Sequence, residues 1–148
     1  GKELKAGDRL PDFTVAANDL SPVTLADASG KRIFVVVPSV DTSVCDLEVR
    51  TFNKKVGELG DVQIWAVSMD LPFAQQRWCA AAGVDAVRTV SDYMDKSFGM
   101  ATGTYIKELG LLARAIFVVD EQGIIKHVEY VSEVANQPDY EAVYAAVQ

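Results

Sequence analysis

Short runs of apolar, largely β-branched residues punctuate the chain, and they read as strands. Ile33 to Val37, "IFVVV", is bounded by Gly30-Lys31 before and Pro38-Ser39 after, the pattern of a buried central strand. "VQIWAVSMD" at 62–70 repeats that pattern, and a shorter run, "AVRTVSD", lies at 86–92. "ARAIFVVDEQGIIKHVEYV" at 113–131 holds two runs around Asp120-Glu121-Gln122-Gly123, a turn composition that predicts an antiparallel hairpin. Helical stretches separate the strands. They cover 45–59, with Leu47, Phe52, Val56 and Leu59 on one apolar face, then 72–82 after Pro72, a broken segment over 93–101, and 138–147 from Pro138.

The resulting order, β-α-β-α-β-α-β-β-α, predicts an α/β layered fold, and the late hairpin makes its central sheet mixed rather than purely parallel. The N-terminal stretch, with Pro11, Pro22 and "VTLADASGK", reads as short strands and turns leading into the core. Such an assembly is that of a thioredoxin-like fold with extra N-terminal strands and flanking helices. No repeat, linker or low-complexity segment divides it, so residues 1–148 are expected to form a single domain.

Composition narrows the function classes. A formal net charge of −7 with scattered Lys and Arg argues against nucleic acid or an anionic membrane surface as partner. No apolar stretch approaches the roughly 18 to 20 residues of a membrane span, and the first residues lack a signal-like apolar region, so a soluble cytoplasmic protein is the expectation. Two cysteines and one histidine cannot furnish a four-ligand zinc site, and no Cys-x-x-Cys occurs.

The chemistry concentrates at "PSVDTSVC", Pro38 to Cys45, where a strand hands over to a helix. Unpaired N–H groups at a helix start stabilise an anionic sulfur. Thr42 and Ser43 are placed to cap the helix, with the Thr42 hydroxyl three residues before the thiol, and Pro38 supplies an apolar wall. Arg114 begins the third core strand between "GLLA" and "AIFVV"; a buried charge there needs a partner, either a thiolate or a carboxylate. Asp41, Asp46 and Glu48 would disfavour a thiolate if they faced it, so they are expected to point outward or cap the helix. Arg50 reads as a supporting residue or an acid's partner, and His127, alone of its kind, as solvent-exposed.

Pro-x-x-x-Thr-x-x-Cys, as Pro38, Thr42 and Cys45, resembles the active-site signature of the peroxiredoxins. The longer strings "PSVDTSVCDLEVRTFN" and "DLPFAQQRWC", with "LLARAIFVVDEQG" and "PDYE" following in order, are more similar to one subfamily, the bacterial thiol peroxidases of the atypical two-cysteine type. The resemblance implies a thioredoxin-like fold of peroxiredoxin type. It implies that Cys45 attacks hydrogen peroxide or an alkyl hydroperoxide, with Pro38, Thr42 and Arg114 binding substrate and Thr42 and Arg114 assisting. Cys79, 34 positions later, falls on the resolving cysteine, so an intramolecular Cys45–Cys79 disulfide and recycling by thioredoxin are implied. A homodimer working without metal, haem or flavin cofactor is also implied. Members commonly carry an N-terminal β-hairpin ahead of the equivalent of "AGDRLPDF", whereas this sequence begins a few residues before that string. The same residues would serve a redox sensor or adaptor that passes oxidation to a partner, and a structural domain with incidental thiols is the third reading.

Overall fold

The computed structural model describes residues 3–131 and 137–147. In chain order these form β1 (Thr14–Ala16), β2 (Pro22–Thr24), a 3-10 turn (Leu25–Asp27), β3 (Lys31–Val36), α1 (Ser43–Leu59), β4 (Val62–Ser68) and α2 (Pro72–Ala82). There follow β5 (Arg88–Ser91), α3 (Ser97–Thr102), β6 (Tyr105–Ile106), β7 (Leu111–Leu112), β8 (Ala115–Val119), β9 (Ile125–Tyr130) and α4 (Tyr140–Ala146). Seven strands make one mixed sheet in the order β2-β1-β5-β4-β3-β8-β9, with β3, β4 and β5 parallel and the flanking pairs antiparallel.

The central strands are continuously apolar because both of their faces are covered. Phe34, Val36, Trp65, Val67, Val90 and Phe117 point to one side, where Phe13 and Phe98 join them. Edge-to-face ring contacts, 5.0 Å between the Phe13 and Phe98 centroids and 5.8 Å between Phe13 and Phe34, fill that layer. Ile33, Val35, Ile64, Ala66, Ile116 and Val118 point to the other side, under α1, α2 and α4. Alternation along each strand thus produces two cores back to back.

The register places the site. β3 and β8 run antiparallel with Val36 opposite Ala115, so Arg114, one residue before Ala115, lies just beyond the end of β3. There the chain leaves β3, turns through Pro38 to Asp41 and enters α1. One strand end and one helix start are brought together by pairing alone.

Several boundaries differ from the sequence expectation. α1 starts two residues earlier than expected because Thr42 caps it, and α4 starts at Tyr140 because the Asp139 carboxylate accepts from the Ala142 N–H at 3.2 Å. Leu47 is 56 % exposed, while the buried stripe of α1 is Cys45, Glu48, Val49 and Phe52. Helical spacing places 45, 48, 49 and 52 on one side and carries 47 away from it. The β6–β7 hairpin, two residues a strand, is too short to leave a pattern in the sequence.

α3 packs closely enough for a test. A Cβ added at Gly99 would meet Leu112 Cδ2 at 2.7 Å and Tyr105 Cβ at 2.9 Å. Gly99→Ala is therefore expected to lower stability by about 1–3 kcal/mol through overpacking, despite alanine's better helix propensity. Urea unfolding checks this, and an unchanged midpoint would contradict the packing described.

Candidate active site

The helix start is built by Thr42. Its backbone is extended, its carbonyl accepts the Asp46 N–H at 2.9 Å, and its hydroxyl accepts the Cys45 N–H at 3.3 Å while donating to the Ser39 carbonyl at 3.2 Å. Cys45 is thus the third residue of α1, inside the turn whose N–H groups lack intrahelical partners. Pro38 is buried in the loop ahead of it. Pro38, Thr42 and Cys45 belong to one short, capped corner, as their spacing predicts.

Arg114 enters that corner from the sheet. Its Nη2 donates to Cys45 Sγ at 3.2 Å and its Nη1 to Glu48 Oε1 at 2.5 Å. Cys45 and Glu48 are wholly buried and Arg114 is 1 % exposed. The sequence offered a thiolate or a carboxylate as the guanidinium's partner, and the fork holds both. Burial works against the charge on Arg114, but Glu48 and Cys45 more than offset it and hold the guanidinium pKa above its ordinary value.

Glu48 overturns its expectation. It points inward because it lies three residues after Cys45, on the same side of α1, where only a cation makes a carboxylate tolerable. Burial pushes its pKa up from 4.5 to about 7, with Arg114 pulling down and Glu129 adding to the rise. Its Oε2 has no hydrogen-bond partner among the described residues. Tyr140 packs nearby from α4, and burial raises its phenol to about 12, with a hydrogen bond to Thr51 lowering it and the Glu48 charge adding a smaller rise. A Glu at helical spacing from a thiol, facing an Arg on a buried strand, is the signal that could have revealed the pair.

The remaining candidates lie outside this corner. Cys79, on α2, is partly buried with Sγ 3.5 Å from Thr89 Oγ1 on β5. It lines an open cleft of about 440 Å³ with Asn18, Asp19, Asp85 and Arg88. Both cysteines are free thiols here, and both belong to the core on the α1–α2–α4 side of the sheet. Arg50 pairs with Asp46 one turn along the exposed face of α1, matching the reading of an acid's partner. His127 corrects the expectation of exposure: it is 26 % exposed, and its Nε2 lies 2.8 Å from Glu129 Oε2, two residues along β9. Side chains at i and i+2 of a strand share a face, which gives the imidazole a partner. Among the described residues no group of three His, Cys, Asp or Glu is arranged to hold a metal ion, and no helix is long and apolar enough to cross a membrane.

A buried thiol in the first turn of a helix, under a buried guanidinium just beyond the end of a central strand, is set in a mixed sheet with flanking helices, a fold of peroxiredoxin type. Comparison with known proteins narrows the class. The family model described as Redoxin matches residues 5–144. The thiol peroxidase of Bacillus subtilis (strain 168) is 56% identical over 142 residues, 95% of this chain and 85% of that protein. The thiol peroxidase of Clostridium acetobutylicum is 53% identical over 148 residues, 100% of this chain and 90% of the other. Among solved structures, a peroxiredoxin-like protein from Aquifex aeolicus superposes with a TM-score of 0.91 at 36% identity, covering 99% of this chain and 88% of that one. The chain belongs to the Redoxin family, within its bacterial thiol peroxidase branch.

The buried acid has a pH signature. An acid whose pKa is raised on folding holds its proton more tightly in the native state, so its stabilising effect is complete below about pH 4.5 and is lost as pH rises through about 7. In Glu48→Gln nothing ionises there. Across that interval the variant's stability is expected to improve relative to the unsubstituted chain by on the order of 3 kcal/mol, at about 1.4 kcal/mol per pH unit. Denaturant titrations between pH 5 and 8 measure the difference, and a difference independent of pH would contradict the raised acid.

Proposed function

We propose that the chain, acting as one domain, reduces hydrogen peroxide and alkyl hydroperoxides through Cys45, forms a Cys45–Cys79 disulfide, and is recycled by thioredoxin. The supporting observation is the Arg114 fork on the Cys45 sulfur. In the first step the thiolate attacks the nearer peroxide oxygen: the S–O bond forms, the O–O bond breaks, and the departing oxygen takes a proton to leave as water or an alcohol. Sulfenic acid is left on Cys45. The guanidinium donates to the sulfur and is placed to bind the oxygen on which charge develops, while Thr42 fixes the Cys45 amide and Pro38 walls the corner. Cys45 is sealed from solvent in this state, so the corner must open for a peroxide to reach the sulfur.

In the second step the Cys79 thiolate attacks the Cys45 sulfenic sulfur, forming S–S and releasing hydroxide, which leaves as water. The two thiols have different neighbours in the reduced structure. Arg114, holding Cys45, heads β8, and Thr89, beside Cys79, is on β5, three strand steps away. Bridged cysteines need Cα atoms within about 7 Å of each other. The start of α1, α2 or both must loosen for the bond to form. Cys79 lines an open cleft, the side from which a thioredoxin thiol could reach the bridge, and thiol–disulfide exchange then returns both thiols. A second copy of the chain completes the family pattern, and a cytoplasmic location suits thiols that rest reduced.

One equivalent of peroxide mixed rapidly with fully reduced protein tests this reading. Fast loss of peroxide, with an intact monomer mass lower by two hydrogens, is expected; in Cys79→Ser loss should remain fast and the mass should rise by one oxygen. Loss no faster than with a free thiol would remove the peroxidase reading, and a two-hydrogen loss in Cys79→Ser would remove the assigned pairing. Many turnovers with thioredoxin and a reductant are expected, against the single oxidation that a sensor would show.

A further inference from the structure

Away from the reacting thiol, a run of polar groups joins the base of the helix that carries Cys79 to the corner that carries Cys45. Its centre is Asp70, between the end of β4 and the start of α2, with Leu71 and then Pro72 following. Oδ1 accepts the Ser39 hydroxyl at 2.7 Å, and Oδ2 accepts the Val40 N–H at 2.9 Å and the Ser68 hydroxyl at 2.7 Å. The Asp70 carbonyl accepts the Ser91 hydroxyl from β5 at 2.5 Å. Beneath it, the wholly buried Gln75 of α2 donates to Ser68 Oγ at 3.0 Å and to the Val90 carbonyl at 2.8 Å. From the other end, the Ser39 carbonyl accepts both the N–H and the hydroxyl of Thr42, whose oxygen takes the Cys45 N–H. The path from α2 to the Cys45 amide is continuous.

We infer that Asp70 is a positioning residue, a latch that ties the Pro38–Thr42 loop to the root of α2, holding Cys45 in its peroxide-reactive place and restraining it from moving toward Cys79. The carboxylate suits the task because it accepts from three donors on two segments at once. An amide in its place presents one accepting oxygen and an NH2 group that can only donate, and cannot keep all three. The loop residues it holds, Ser39 and Val40, are those that set Thr42 and hence the first turn of α1. Opening the latch therefore has opposite consequences for the two steps: it disorders the corner that reacts with peroxide and frees the segment that must travel to form the bridge. The second consequence rests on the Cys45–Cys79 reading above, and the first does not.

The two steps separate experimentally. Oxidation of Cys45 is measured by rapid mixing with hydrogen peroxide in a Cys79→Ser background, and bridge formation by acid quench and intact mass in chains that keep Cys79. Asp70→Asn is expected to slow oxidation at least fivefold while bridge formation from the sulfenic acid stays as fast or becomes faster. Asp70→Glu, which keeps the acceptors, is expected to recover part of the loss. Oxidation within twofold of the unsubstituted chain, or a proportional fall of both steps, would overturn the latch, since general loosening slows both. If Asp70→Asn does not fold, Ser39→Ala removes one donor alone and should show the same pattern at about threefold; equal rates there would overturn it as well. If the unsubstituted chain forms no Cys45–Cys79 bond, the pairing fails, and the oxidation rate in the Cys79→Ser background still decides the latch.

Discussion

One buried guanidinium organises the active corner. Arg114 sits in the core with almost no access to water, and Cys45 Sγ and Glu48 Oε1, which receive its N–H groups, help make its charge tolerable there. Remove either acceptor and part of a buried cation loses its compensation. The sulfur and the carboxylate in turn compete for the same positive charge. With Glu48 raised to about 7, the carboxylate is only partly ionised near neutrality, which leaves more of the guanidinium's field for the sulfur. The pairing explains why an acid can stand one helical turn from the thiol.

Everything else in the fold serves to keep that contact short. Antiparallel pairing of β3 with β8 delivers the arginine, the turn through Pro38 delivers the thiol, and two apolar cores clamp the sheet between them. The proposed second step asks the same corner to come apart, because Cys45 is held by Arg114 while Cys79 lies beside Thr89 on another strand. The polar tether through Asp70 is where the rigid sheet and the moving loop meet. Preorganisation for one step and release for the next thus fall on neighbouring hydrogen bonds rather than on the hydrophobic core.

Much of this is legible in the sequence. The strand at 33–37, the helix after Pro72 and the hairpin around Asp120 to Gly123 follow from residue type alone, because buried strands and tight turns restrict composition strongly. The start of α1 was legible to within two residues, and the convergence of Thr42, Cys45 and Arg114 follows from the family motif. Pattern misleads on α1, where it puts Leu47 inside and Glu48 outside, and on β9, where it leaves His127 exposed. A rule of apolar-in and polar-out fails where a buried charge on another element supplies the partner, and that partner lies 66 positions away. Asp70 escaped for a related reason: its three donors come from two segments of chain, and no local pattern announces them.

The account turns on whether the guanidinium fork, rather than positive charge alone, prepares the thiol and the oxygen it meets. Arg114→Lys keeps the charge and removes the fork. The direct measurement is the second-order rate constant for peroxide loss with reduced Arg114→Lys, beside that of the unsubstituted chain, at neutral pH. A fall of about 100-fold or more is expected, the scale of losing one well-placed donor to a developing oxyanion. A rate within threefold of the unsubstituted chain would contradict the account and leave the helix start alone as the source of the reactivity.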